Sequence, residues 1–209
     1  EGVVAGIGGY GNCMGVPTVA GECTFDARYN DNILVNAMTV GIADSKRIFY
    51  AKARGIDSPV VYVGSKTGRD GIHGATFSSL ELDDSSENLG SVVQIGNPIV
   101  EKKITDVLIQ ARDLNLYNCI TDCGAGGLSS AIGEMGADCG AEVYLDDVSL
   151  KYEGLAPWEI WLSEAQERMV LAVPPYNLES FLEICQAESV EVTVLGKFTD
   201  TKQLHIHYQ

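Results

Sequence analysis

The sequence predicts a mixed α+β or α/β protein in two parts: a β-rich part over residues 1–90, followed by a layered α/β domain over residues 91–209. The first part contains long apolar stretches, whereas the second alternates helical and strand patterns. The charge also changes, because residues 1–89 carry 7 basic and 11 acidic groups and residues 90–209 carry 7 and 18. The polar stretch at 82–88 is typical of a loop or linker between the two parts.

The β-rich part begins with a glycine-rich apolar stretch at residues 3–15, whose composition fits either a helix or a loop. Strands are predicted at residues 18–25, 33–42 and 60–65, and the third is apolar enough to be buried on both faces. It leads almost directly into the glycine-rich run at 67–75. A strand that feeds such a turn commonly holds ligand phosphates on bare backbone N–H groups.

The second part is predicted to alternate helices and strands. The helix at residues 98–115 has apolar residues at close to helical period, with Asn97 as a plausible N-cap. Further helices are predicted at 126–135, 157–163 and 176–187. Strands are predicted up to Ile120 and at 141–145, 169–173, 190–198 and 204–208, the last because it alternates at period two. Alternation of this kind indicates a layered α/β domain.

Composition excludes several classes of function. Lys and Arg total 14 against 29 Asp and Glu, and this net charge of −15 lacks the clustered cations that nucleic acid requires. No apolar run approaches the roughly 20 residues of a membrane span. The six cysteines include no Cys-x-x-Cys pair, and with three histidines they match no zinc motif. The sequence therefore predicts a cytoplasmic protein with reduced cysteines, without nucleic-acid or membrane partners.

Residues 6–11 satisfy the pattern Gly-x-Gly-x-x-Gly, and Asp26 lies about where a ribose-binding acid would stand. A dinucleotide-binding turn, however, needs a preceding strand and a following βαβ unit. Only five residues precede Gly6. A glycine-rich packing segment is therefore favoured over a nucleotide site.

Three side chains of the glycine-rich run, Arg69, Asp70 and His73, are candidate loop contacts for a ligand. Arg69 suits a phosphate, and His73 can donate a hydrogen bond or move a proton. The alternative is a turn whose charged side chains simply face solvent. The position of the run behind a buried strand favours the functional interpretation.

Asp122 is the candidate metal ligand, since it stands at the end of a predicted strand and before three glycines and a helix. Magnesium takes one or two protein carboxylates and completes its shell with water and phosphate oxygens. The free N–H groups of the helix that follows suit an anion. The competing interpretation is that Asp122 caps that helix.

The connection at residues 163–169 places Glu164 and Gln166 between a helix and a strand, where their acceptor and amide groups suit a neutral polar ligand. An ordinary capped connection has the same composition. Gln94, just before a Gly-Asn-Pro turn, is unremarkable by itself.

Taken in chain order, these segments resemble one family, phosphoribosylformylglycinamidine synthase (synthetase subunit of the shorter type), of the aminoimidazole-ribonucleotide-synthetase superfamily. The motifs are Gly-x-Pro-Thr-x-x-Gly-Glu at 15–22, Thr-Gly-Arg-Asp-Gly-Ile-His-Gly-Ala at 67–75, Gln94 before Gly-Asn-Pro, Thr-Asp-Cys-Gly-Ala-Gly-Gly-Leu at 121–128, and Ser-Glu-Ala-Gln-Glu-Arg-Met at 163–169. The resemblance covers nearly the whole chain.

The resemblance implies an ATP-dependent carbon–nitrogen ligase of purine biosynthesis, which amidates formylglycinamide ribonucleotide to formylglycinamidine ribonucleotide. ATP is the co-substrate, Mg²⁺ is the metal, and a glutaminase subunit supplies ammonia in a complex with a small accessory subunit. By matching motifs, the ribonucleotide would be bound by Gln94, Glu164, Ala165 and Gln166, and Mg²⁺ by Asp122.

Two departures from the family pattern matter. Ala165 replaces the family's usual second serine, so any hydroxyl contact there is lost or was never needed. The family's catalytic histidine and ATP-binding lysine also lie upstream of the segment at which this chain begins, so no catalytic residue is assigned. By this resemblance the chain is an internal, inactive fragment: an incomplete β-rich ATP-binding-type domain over 1–90 and the first α/β domain over 91–209.

Two alternatives stay open. A non-catalytic interaction module could keep the fold without the reaction, although intact Asp122 and Gln94 argue against decay. A related ATP-dependent synthetase of the same superfamily, acting on selenophosphate or thiamine phosphate, is disfavoured by the motifs at 69–74 and 167–169.

Overall fold

The computed structural model describes residues 1–30, 33–72 and 94–209. In these ranges the α-helices are α1 (Gly2–Met14), α2 (Pro98–Asp113), α3 (Gly127–Met135), α4 (Pro157–Leu162) and α5 (Leu178–Ala187). The strands are β1 (Pro59–Gly64), β2 (Cys119–Asp122), β3 (Ala141–Tyr144), β4 (Arg168–Ala172), β5 (Val192–Phe198) and β6 (Leu204–His207). The helices and strands predicted from residue 60 onward in the described ranges are thus confirmed, within a few residues at their ends.

The strands form one mixed sheet in the order β2-β4-β1-β5-β3-β6. The pairs from β2 through β3 are antiparallel, and only the outer pair of β3 and β6 is parallel in the described part of the chain. The layered arrangement predicted from the sequence is present. Its sheet is mainly antiparallel, however, so the architecture is α+β.

Strand β1 lies in the middle of this sheet, between β4 and β5. Val60 and Tyr62 point into a core cluster that also contains Leu128 and Ile132 of α3. Val61 and Val63 point to the opposite face, into a cluster formed with α2 and α5. Because successive strand residues face opposite sides, both faces of β1 are buried under helices. This explains why residues 60–63 form a continuous apolar run.

Helix α2 shows how the sequence fixes a helix at the site. Pro98 occupies the first turn, where its missing N–H costs nothing and its ring favours helical backbone. Ile104, Val107 and Ala111 are fully buried, and their spacing places them on one face of the helix. The start of α2 is therefore held firmly against the sheet, close to Gln94.

The strands predicted at residues 18–25 and 33–42 are wrong for this structure. These residues have no regular secondary structure, and their apolar side chains are exposed, with Phe25 at 92% and Ile42 at 104%. β-branched and aromatic composition favours strand backbone, but a strand exists only when another strand supplies its hydrogen bonds. None of the described strands lies beside either segment.

The domain boundary predicted near residue 90 falls outside the described residues. Strand β1 precedes that position, yet its neighbours β4 and β5 both follow it. The sheet is therefore built from residues on both sides of position 90.

All six cysteines are free thiols, and three of them, Cys119, Cys123 and Cys185, are buried. No helix in the described ranges is both long and apolar enough to cross a membrane.

Candidate functional site

Three connections meet at one edge of the sheet: the 94–97 turn before α2, the 122–127 loop after β2, and the 163–167 loop before β4. They meet because β2 and β1 both run antiparallel to β4. Asp122 pairs with Met169 and Gly64 pairs with Arg168, which places the ends of β2 and β1 beside the start of β4. The sheet register thus brings together three motifs that are far apart in the sequence.

Gln94 is held by the 163–167 loop at both ends of its side-chain amide. The backbone N–H of Gln166 donates to Oε1 of Gln94 over 2.6 Å. Nε2 of Gln94 donates to the Glu167 carboxylate over 3.1 Å. Two of the sequence-predicted ligand residues are therefore in direct contact.

Glu164 connects the same loop to the glycine motif after β2. Its carboxylate accepts from the backbone N–H of Gly126 over 3.1 Å, and its own N–H donates to the carbonyl of Asp70 over 3.0 Å. Its carbonyl accepts from the side chain of Gln166 over 2.7 Å. Glu164 thus links the loops at 67–72, 122–127 and 163–167.

Asp122 is exposed, and its Oδ1 accepts from the backbone N–H of Gly124 over 2.8 Å. Helix α3 begins at Gly127 with Gly126 as its N-cap, so Asp122 stabilises the preceding turn and does not cap the helix. Among the described residues, no group of three His, Cys, Asp or Glu side chains is arranged to hold a metal ion. A metal ion at Asp122 would need its remaining ligands from water or substrate oxygens.

The electrostatic environment of Asp122 is acidic. The pKa of Glu101, on α2, is raised by burial and then by the nearby charges of Glu167 and Asp122. Such mutual repulsion of carboxylates is relieved by a bound cation. Acidic side chains therefore lie near Asp122, without forming a three-residue metal cluster in the described ranges.

Arg168 holds the 163–167 loop in place through hydrogen bonds from its buried side chain. Its guanidinium is buried, with the residue only 2% exposed. It donates to the carbonyls of Ser163 and Ala165 and, over 3.0 Å, to the Thr67 hydroxyl. A buried cation is tolerated only when its donors are satisfied, and here neutral oxygens satisfy them.

Ala165 is fully buried, and its backbone polar atoms are engaged within the loop, since its N–H donates to the Ser163 hydroxyl over 3.2 Å and its carbonyl accepts from Arg168. The missing serine hydroxyl at this position would therefore have been buried.

The candidate contacts in the glycine-rich run have structural partners. Arg69 makes two hydrogen bonds to the Glu159 carboxylate, over 2.7 and 3.1 Å, and Asp70 pairs with Lys151 over 2.6 Å. The charge of Arg69 is therefore already compensated. Its side chain contacts α4 and does not join the hydrogen bonds around Gln94. His73 lies outside the described residues.

The glycine pattern at residues 6–11 lies wholly within helix α1. A phosphate-binding turn requires a loop between a strand and a helix, so the dinucleotide interpretation is wrong. The favoured packing role is not seen either, because the helix has no buried residue and a Cβ on Gly6, Gly8 or Gly9 would meet no atom within 4 Å. Cys123, inside the glycine motif after β2, is only 2% exposed, and burial raises the pKa of its thiol to about 11.

Sequence reasoning missed three residues that organise the site: Tyr10, Glu167 and Arg168. Glu167 is buried, and it accepts from the Tyr10 hydroxyl over 2.7 Å. The signal that was available was charge, since Glu167 and Arg168 are adjacent charged residues leading into a strand that is otherwise apolar. Nothing in the sequence marks Tyr10.

The fold identifies the class of protein to which the chain belongs. Its sheet carries helices on both faces, and glycine-rich loops meet at one edge. Residues 56–209 match the family described as AIR synthase related protein, C-terminal domain, and the chain belongs to this family. The family match begins just before β1, the central strand of the sheet.

Three matches that cover the whole chain are PurL proteins. Phosphoribosylformylglycinamidine synthase subunit PurL of Staphylococcus carnosus is 48% identical over 211 residues, which cover 100% of this chain and 29% of that protein. The structure of T. maritima PurL complexed with FGAR has a TM-score of 0.91 and 34% identity, and covers 100% of this chain and 35% of that one. The structure of T. maritima PurL complexed with ATP has a TM-score of 0.85 and 32% identity, and covers 100% of this chain and 33% of that one.

The resemblance inferred from the sequence motifs is thereby confirmed. The chain spans about a third or less of the length of these relatives.

Proposed function

We propose that this chain supplies the ribonucleotide-binding edge of an ATP-dependent ligase that amidates formylglycinamide ribonucleotide in purine biosynthesis. Gln94, Glu164 and Gln166 would bind the ribonucleotide and Asp122 the magnesium ion. ATP would be the co-substrate. A glutaminase subunit and a small accessory subunit would be the protein partners, in the cytoplasm.

One observation carries this proposal: three motifs separated by tens of residues are joined by direct hydrogen bonds. Gln166 and Glu167 hold the amide of Gln94, while Glu164 holds Gly126 of the loop that follows Asp122. The cluster presents amide and carboxylate groups, which suit the hydroxyl and amide groups of a ribonucleotide. A module for protein contacts alone has no need of such a cluster.

In this proposal, the layered domain starts just before β1 and not at residue 91. That division follows the family match from residue 56 and the central place of β1.

Magnesium would supply positive charge to the phosphate groups during transfer. The chain's own contribution would be to orient Asp122, whose Oδ1 is held by the Gly124 N–H. The neighbouring carboxylate Glu101 adds negative potential without joining a three-residue metal cluster in the described part of the chain.

Gln94→Ala is expected to weaken formylglycinamide ribonucleotide binding about tenfold or more, because it removes an amide held in a fixed orientation. Binding is followed through the backbone amide NMR signals of Gln166 and Gly126 during titration of the chain. The matched control is Gln110→Ala, which removes an exposed glutamine paired with Glu188 away from the site. Equal affinities of the two variants would contradict the assignment of Gln94.

Asp122→Asn is expected to abolish divalent-metal binding at the loop after β2. Asparagine keeps the oxygen that accepts from Gly124 and removes only the charge, so the melting temperature should change little. Paramagnetic Mn²⁺ should broaden the amide signals of Gly124 and Gly126 in the wild-type chain and leave them sharp in the variant.

Asp138→Asn is the control for Asp122→Asn, since Asp138 is an exposed aspartate that pairs with Lys52 on the surface. Broadening that persists in Asp122→Asn, or disappears equally in Asp138→Asn, would refute the metal assignment.

A further inference from the structure

Glu167 is a buried carboxylate whose charge is balanced by hydrogen bonds. Glu167 is 5% exposed, and none of the ion pairs among the described residues includes it. Oε1 accepts from the Tyr10 hydroxyl over 2.7 Å and from the Asn97 N–H over 2.9 Å. Oε2 accepts from the side chain of Gln94 over 3.1 Å. Three donors from two separate segments therefore converge on one carboxylate.

This convergence determines which way the Gln94 amide points. A carboxylate accepts hydrogen bonds only, so the nitrogen of Gln94 must face Glu167. A backbone N–H donates only, so the oxygen of Gln94 must face Gln166. In the reversed orientation, the Gln94 nitrogen would face the N–H of Gln166 and its oxygen would face the Glu167 carboxylate, so neither hydrogen bond could form. Within the described part of the chain, these two hydrogen bonds use one N–H and one oxygen lone pair of Gln94, and the other N–H and lone pair can serve a ligand.

Tyr10 sets the position of the carboxylate that fixes this orientation. It comes from α1, and its ring lies so close to the 94–97 turn that a Cβ on Gly96 would be 2.8 Å from Cε2 of the ring. Burial and the Glu167 charge raise the pKa of the Tyr10 hydroxyl, with Glu101 the other acidic group facing it. The hydroxyl therefore stays protonated and donates to Glu167.

We propose that Tyr10 and Glu167 are positioning residues that lock the side-chain amide of Gln94 in a single orientation, with one donor and one acceptor directed at the ligand. That the ligand is formylglycinamide ribonucleotide rests on the proposed function. The donor–acceptor pair matches the amide groups of such a substrate, which carry both a carbonyl and an N–H. Helix α1 is thereby part of the ligand-recognition apparatus.

The test uses the free chain first. The side-chain amide signals of Gln94 are identified in a ¹⁵N spectrum by their loss in Gln94→Ala, and are then followed in Tyr10→Phe and Glu167→Gln. Tyr10→Phe removes one hydroxyl, and the Gln94 signals are expected to move and broaden. Glu167→Gln introduces an amide that can present a donor to Gln94, so a larger change is expected. Tyr176→Phe, at an 85% exposed tyrosine, is expected to leave the signals unchanged.

Ligand affinity gives the second measurement. Tyr10→Phe is expected to raise the Kd for formylglycinamide ribonucleotide about fivefold, because one oriented hydrogen bond is lost. Glu167→Gln is expected to raise it about tenfold or more, because several are lost. Circular dichroism confirms that each variant folds, and if Tyr10→Phe does not fold, Glu167→Gln provides the same two measurements.

Unchanged Gln94 signals in the folded variants would overturn the positioning role, whatever the ligand. Gln94 signals that move, in a chain whose wild type does not bind the ribonucleotide, would support the positioning role and refute the proposed ligand. The positioning role of Tyr10 and Glu167 and the identity of the ligand are therefore tested by different outcomes.

Discussion

Gly127→Ala is expected to destabilise the chain by about 3 kcal/mol or more, a large share of the roughly 5–15 kcal/mol of a typical domain. Gly127 begins helix α3 with a φ of +56°, where side chains are strained. A Cβ there would lie 2.0 Å from the carbonyl oxygen of Ser163, which is backbone and cannot rotate away. Urea unfolding followed by circular dichroism measures the loss.

Gly133→Ala is the control for this experiment, because Gly133 lies in the same helix and a Cβ added there would have no neighbouring atom within 4 Å. Alanine should stabilise the helix at this position, by about 0.5–1 kcal/mol. If both variants were as stable as the wild type, the close approach of α3 to the 163–167 loop would be refuted.

Arg168→Met is expected to cost about 3–5 kcal/mol and to abolish ribonucleotide binding. Methionine fills much of the arginine volume but leaves the carbonyls of Ser163 and Ala165 and the Thr67 hydroxyl without their buried donor. Because those carbonyls belong to the loop that holds Gln94, its geometry is lost with them. Thermal unfolding and the NMR titration measure the two effects.

The matched control is Arg112→Met, at a half-exposed arginine that pairs with its neighbour Asp113. Removing a surface ion pair is expected to change stability by no more than about 0.5 kcal/mol. Similar losses in the two variants would show that the buried hydrogen bonds of Arg168 contribute little.

The sequence correctly predicted those helices and strands whose pattern of apolar residues reflects burial. Strand β1 was predicted because a continuous apolar run fits a strand covered on both faces, and α2 because its apolar residues recur at helical period. The predicted strands at 18–25 and 33–42 failed, since local composition cannot tell whether a neighbouring strand exists.

The site was predicted as separate pieces. Motifs identified Gln94, Asp122 and the 164–166 segment as candidates, but the contact of Gln94 with Gln166 depends on the register of β2 and β1 against β4. The role of Tyr10 depends on where α1 docks, and no local pattern encodes that. The pairing of Arg69 with Glu159 could not be predicted, because Glu159 lies in a helix far along the chain.

The central place of β1 has a consequence for how the chain folds during synthesis. Val61 pairs with Leu171 on one side and with Val194 on the other, both more than a hundred residues later. At the usual ribosomal rate of about 5–20 residues per second, this apolar strand must wait on the order of ten seconds for its partners to emerge. Contacts so distant in the chain close slowly, and until they form, both edges of the β1 strand are open to association with other chains.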